Sequence, residues 1–177
     1  MEVRMEAKQK KMLGFVFCGI VLVGFILAVV GMFIGIVNSS MMGMSESVTL
    51  FDEGWAELEK MADAAAEAGL DVTVPSRTFT LIAFIVMLVG GAVALVGQIL
   101  KTLVKKDIKM LNLAGGAVTL LGAILVLVAG IVLVGQFGDY SVGGMIEYSL
   151  GAGIILGFIG GLLAGAAAIV STLKALN

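Results

Sequence analysis

Four long apolar runs without a charged residue constrain the fold of this chain more than any other feature. Each run exceeds the roughly 20 residues that an α-helix needs to cross a hydrocarbon core of about 30 Å. Because no water is present at that depth to pair with backbone N–H and C=O groups, such runs form helices. The sequence therefore predicts four transmembrane helices, at about residues 12–37, 78–100, 111–137 and 148–173.

The composition agrees with a chain that has a lipid bilayer as its solvent. The 177 residues are 60% hydrophobic and 14% charged, whereas about a quarter of the residues in a soluble domain are charged. The sequence predicts an all-α membrane protein with one four-span domain over residues 1–177. We expect a four-helix transmembrane bundle that carries a small, mainly helical extracellular cap.

The basic residues predict how the chain is oriented in the membrane. Nine of the eleven Lys and Arg residues flank the helices on one side, namely Arg4, Lys8, Lys10, Lys11, Lys101, Lys105, Lys106, Lys109 and Lys174. Only Lys60 and Arg77 lie on the other side. Basic residues mark the cytoplasmic side. We therefore expect a multi-pass protein of the cell membrane, with both termini in the cytoplasm.

The last apolar run carries small residues at a spacing of four. They are Ser149, Gly153, Gly157, Gly161 and Gly165, and the first run has a shorter version with Gly24, Ala28, Gly31 and Gly35. This spacing places them on one helix face, and small residues let two helices approach closely in lipid. The stripe predicts a helix-packing interface. It lies either within one bundle or between subunits of an oligomer.

The segment 39–77 is the only sizeable polar loop, and we expect it to be extracellular. Phe51, Trp55 and Leu58 recur at helical spacing with acidic residues on the opposite face. Thr49 and Asp52 match a capping box, Gly69 a helix stop, and residues 71–74 a short strand. A loop of this size cannot sustain its own core, so its apolar side must cover something. Trp55 is interpreted either as the anchor of this small cap or as an exposed recognition residue.

Missing residue types exclude several classes of function. The chain has no histidine and one cysteine, which excludes a disulfide within the chain, histidine metal sites and Ser/His/Asp or Cys/His catalysis. The four runs contain no ionisable side chain of the kind that proton-coupled transporters keep at depth. We expect no enzymatic activity, cofactor, metal or nucleic-acid partner. The expected partners are membrane lipids, further copies of the chain or other membrane proteins.

Four spans, cytoplasmic termini, a long first outer loop and a short second one resemble the claudin and peripheral-myelin-protein superfamily. The likeness is one of topology. The superfamily's W…GLW…C…C signature is represented only by Glu53-Gly54-Trp55, and the loop contains no cysteine. The resemblance implies outer loops that build a small sheet and a role in contact at the cell surface.

The leading hypothesis is a non-enzymatic structural or interaction protein that self-associates or belongs to a larger membrane assembly. Phe51, Trp55 and Leu58 are the candidate residues for contact outside the membrane. The alternative is a cation channel or transport subunit, because an acidic outer face concentrates cations.

Overall fold

A computed structural model of the protein describes residues 2–41, 44–69, 75–104, 108–140 and 146–173. The elements follow the order α1 (Glu2–Phe33), β1 (Val37–Met41), β2 (Met44–Val48), α2 (Gly54–Glu67), α3 (Thr78–Thr102), α4 (Lys109–Tyr140), β3 (Glu147–Leu150) and α5 (Ala152–Leu173).

Four helices are long and apolar enough to cross a membrane, as the sequence predicts. Their candidate spans are Met12–Phe33, Thr78–Thr102, Lys109–Asp139 and Ala152–Leu173. Two predicted boundaries were wrong. The first helix ends at Phe33 rather than at residue 37, because the chain bends at residues 34–36 and enters β1 at Val37. The last helix begins at Ala152 rather than at residue 148, because β3 occupies Glu147–Leu150.

The four long helices contact one another around a ring. The most extensive contacts join α3 to α4 and α1 to α5, followed by α4 with α5 and α1 with α3. Glycine makes the α1–α5 contact close. A Cβ atom built on Gly24 would lie 2.6 Å from the carbonyl oxygen of Gly160, so the two backbones touch at this level.

The loops outside the long helices form a three-stranded antiparallel sheet. Strands β1 and β2 follow α1 in the chain, and β3 lies between α4 and α5. The strand order of the sheet is β2-β1-β3. Val37 pairs with Val48 of β2 and with Leu150 of β3. We call the sheet and α2 together the cap. The prediction of a mainly helical cap missed this sheet, and Ser149 belongs to β3 rather than to the helical stripe.

The sheet continues the pairing of α1 with α5 beyond the ends of the helices. Gly151 N donates to the carbonyl of Ile36 at 2.8 Å, and Gly153 N donates to that of Gly35 at 2.9 Å. Ile36 N donates to Val48 O at 2.7 Å. The first N–H groups of a helix have no partner within the helix. At the start of α5 the N–H of Gly153 is paired instead with a carbonyl between α1 and β1, next to the hydrogen bonds of the sheet.

The ends of α2 show one correct and one wrong prediction. Gly69 has φ +68°, the left-handed conformation that glycine adopts just beyond a helix, and it follows the end of α2 as expected. The predicted capping box was wrong, because α2 begins at Gly54. Asp52 Oδ1 instead accepts a hydrogen bond from Gly54 N at 3.2 Å. The strand predicted at residues 71–74 lies outside the described residues.

Candidate functional site in the cap

Trp55 anchors α2 inside the cap. Its side chain is 1% exposed, and the indole Nε1 donates a hydrogen bond to Thr49 O at 2.7 Å. Its ring meets the edge of Phe137 at a centroid distance of 5.8 Å, and Phe137 stacks on Tyr148 at 5.3 Å. These aromatic rings join α2 to α4 and β3. The anchor interpretation therefore fits, and the alternative of an exposed recognition residue is wrong because Trp55 is internal.

Arg77 ties the start of α3 to the same anchor. Its guanidinium donates to the carbonyl oxygen of Leu50 at 2.8 Å and lies 6.0 Å from the ring centroid of Trp55. Its Nε is also 3.7 Å from a carboxylate oxygen of Glu59 on α2. In the sequence, Arg77 is only one of the two basic residues on the predicted outer side. Its contact with a carbonyl 27 residues earlier has no signature in the local sequence.

The other two residues predicted for outside contact differ in exposure. Phe51 is 52% exposed and stacks on Phe33 at the end of α1, with ring centroids 5.2 Å apart. Leu58 is half-buried and packs on the core cluster that contains Trp55. Of the predicted contact residues, Phe51 alone presents a largely open side chain.

The outward face of α2 is acidic. The helix carries four carboxylates and one lysine, all exposed: Glu57, Glu59, Asp63, Glu67 and Lys60. Charged side chains are the expected covering where the other face of a helix is used for anchoring. The cap thus combines an apolar underside with a surface of negative charge.

The glycine stripe of α5 is covered by the chain's own helices. A Cβ atom on Gly153 would lie 2.5 Å from the carbonyl oxygen of Gly31. At Gly157 and Gly161 it would meet side chains of α3 and α4, and at Gly165 it would meet Leu120 and Gly116 of α4. Gly35 lies against Ser47 of β2. The stripe is a packing surface within one chain, and these positions are not open to a second copy.

A cluster of polar side chains joins the helices at the end away from the cap. Gln98 donates a hydrogen bond to Ser171 Oγ, and Lys101 Nζ donates to Ser171 O at 2.6 Å. Asn112 is fully buried, and its amide oxygen occupies the space that a side chain at Gly97 would need. Polar side chains inside a membrane protein link neighbouring helices, and the hydrogen bonds of Gln98 and Lys101 connect α3 with α5 in this way. Asn112 of α4 meets α3 through its contact with Gly97.

The described part of the chain brings no group of three or more His, Cys, Asp or Glu side chains together in a way that could hold a metal ion. Comparison of the chain with family models, with curated proteins and with solved structures found no match.

Proposed function

We propose that this protein is a non-enzymatic, multi-pass component of the cell membrane that contacts other proteins through its cap. The observation that carries the proposal is the Trp55 anchor. It holds the apolar side of α2 against the long helices, so the opposite side is presented in a fixed orientation. Fixed presentation lowers the conformational entropy lost on binding.

The charge of the cap indicates the kind of partner. The exposed face of α2 carries Glu57, Asp63 and Glu67, and surfaces of opposite charge attract and orient each other. The partner surface is accordingly basic. Two copies of α2 would repel, so self-association uses another surface of the chain.

The orientation in the membrane is part of the same proposal. The distribution of Lys and Arg favours cytoplasmic termini and an external cap. The sheet built from both loops is also a feature that the resemblance to claudins implies, which supports a role in contact at the cell surface.

Charge reversal tests the proposal without disturbing the anchor. Glu57→Lys combined with Asp63→Lys should reduce the mass of the assembly extracted from the membrane in mild detergent. Asp139→Lys, an exposed acidic residue near the end of α4, is the matched control and should leave the mass unchanged. An unaltered mass in the double variant contradicts the proposal.

A second candidate function rests on the same acidic surface. As a subunit of a cation pore, the protein would concentrate cations at its cap. Glycine brings the backbones of α1 and α5 into contact, so a pore would lie between copies rather than inside one chain. Purified protein in planar bilayers should then conduct cations, and neutralising Asp52, Glu53, Glu57 and Glu59 should lower the conductance. The absence of conductance removes this candidate.

A further inference from the structure

One face of the cap sheet brings two methionine side chains together across a pair of strands. Met41 of β1 pairs with Met44 of β2, and Ser39 pairs with Glu46 and with Tyr148 of β3. Side chains two residues apart on a strand lie on the same face. The register therefore places Met41, Met44, Glu46 and Tyr148 on one side of the sheet.

The same residues line a cavity of about 250 Å³, together with Ser39 and Ile146. Directly paired residues on neighbouring strands have Cβ atoms about 4.5–5.5 Å apart. Both thioether sulfurs can therefore reach one ion placed between them. Glu46 belongs to the next pair on the same face of β1 and β2, and the ring of Tyr148, which also lines the cavity, stacks on Phe137.

Burial of apolar surface does not account for this pair. Met41 is 42% exposed and Met44 is 71% exposed, so much of each side chain remains outside the protein core. A methionine contributes to stability mainly by filling apolar space. Packing therefore does not explain why two exposed methionine side chains line the same cavity.

We propose that Met41 and Met44 bind a soft monovalent metal ion, Cu(I), with the carboxylate of Glu46 balancing its charge. Thioether sulfur is a neutral, soft ligand that selects Cu(I), whereas Mg²⁺, Ca²⁺ and Mn²⁺ prefer oxygen. Zinc sites use thiolate, imidazole and carboxylate ligands. The cavity offers one carboxylate and the chain contains no histidine, so divalent ions bind weakly here.

The test uses the full-length protein in detergent, with Cys18→Ala as the background because a thiol competes for soft metals. The probe is Ag(I), which shares the charge and softness of Cu(I) and undergoes no redox change during calorimetry. We expect one tightly bound ion per chain. Since loss of even an outer-shell partner lowers metal affinity about 10- to 100-fold, Met41→Leu or Met44→Leu should weaken binding by at least about tenfold.

The matched control removes two exposed thioethers elsewhere. Met12→Leu combined with Met110→Leu changes one methionine at the start of the first candidate span and one at the start of α4. Both side chains are exposed, and the double change should leave binding unchanged. Met41→Leu combined with Met44→Leu should abolish the tight site, and Glu46→Gln should weaken it. Undiminished binding in this double variant, or an equal loss in the control, overturns the proposal.

A spectroscopic measurement keeps the proposal falsifiable if the double variant fails to fold. X-ray absorption of the Cys18→Ala protein loaded anaerobically with Cu(I) should show at least two sulfur neighbours around the metal. A copper environment of oxygen and nitrogen alone overturns the assignment. Circular dichroism and gel filtration establish which variants are folded.

Discussion

A single methyl group added at Gly31 tests whether glycine sets the distance between α1 and α5. In Gly31→Ala the new Cβ would lie 2.7 Å from both Gly153 O and Gly157 N. Ordinary van der Waals contact begins near 3.4 Å, so the helices must separate by about 0.7 Å at this level. Both obstacles are backbone atoms, and rotation of a side chain cannot relieve the clash. Overpacking of this kind destabilises by about 1–3 kcal/mol.

The same substitution at Gly19 is the matched control, because Gly19 is on the same helix and a Cβ there meets nothing within 4 Å. Alanine favours a helix over glycine by roughly 0.5–1 kcal/mol, so Gly19→Ala should be neutral or stabilising. The free energy of unfolding, measured by circular dichroism during denaturation in mixed micelles, compares the two variants. If Gly31→Ala is as stable as Gly19→Ala, the close contact of α1 with α5 is refuted.

Three further predictions use the same unfolding measurement. Trp55→Phe removes the indole donor and leaves a carbonyl without that partner, so we expect a loss of about 1–3 kcal/mol; a smaller loss contradicts the anchor. Arg77→Met should lower stability by about 1–2 kcal/mol through its lost carbonyl bond, whereas Glu59→Gln should change it by less than about 0.5 kcal/mol because an exposed ion pair contributes little. Gly97→Ala should lower the free energy of unfolding, because the new methyl group clashes with the Asn112 side chain. In the double variant with Asn112→Ala the clash is relieved, so the two changes should deviate from additivity by at least about 1 kcal/mol. Additive effects would show that the two residues do not touch.

The long helices were predictable because lipid imposes a local rule. Length and hydropathy identify each span without knowledge of its neighbours. The predicted helix boundaries were wrong at residues 34–37, after α1, and at residues 148–151, before α5. Apolar side chains such as Ile36 and Leu150 extend the hydrophobic run past the helix in both places. Apolar residues suit a buried strand as well as a helix, and a short run does not distinguish the two.

The cap sheet was missed because its evidence is distant in the sequence. β1 and β2 are rich in serine and lack a clear apolar alternation. β3 pairs with β1 although Leu150 follows Val37 by more than a hundred residues. Sheet stability comes from such cross-strand neighbours, which a local pattern does not contain.

The candidate site was predictable only in part. Helical spacing placed Trp55 on the apolar side of its helix and left open whether it is an anchor or an exposed recognition residue. Its contacts with Phe137 and Arg77, which decide between the two, come from other elements of the chain. The glycine stripe was recognised by its spacing of four. The contact of Gly24 with Gly160 was not predicted, because Gly160 lies outside the spacing of four and its role depends on which helix is adjacent.

The pairing of β1 with β3 has a consequence for the order in which the protein matures. Because β3 immediately precedes α5, a ribosome synthesises the third strand only after three of the four long helices. Until then β1 has β2 as its sole partner strand and exposes an edge to which other strands can add. Nascent chains that end before residue 147 should therefore be the forms most prone to aggregate and most easily cut by proteases.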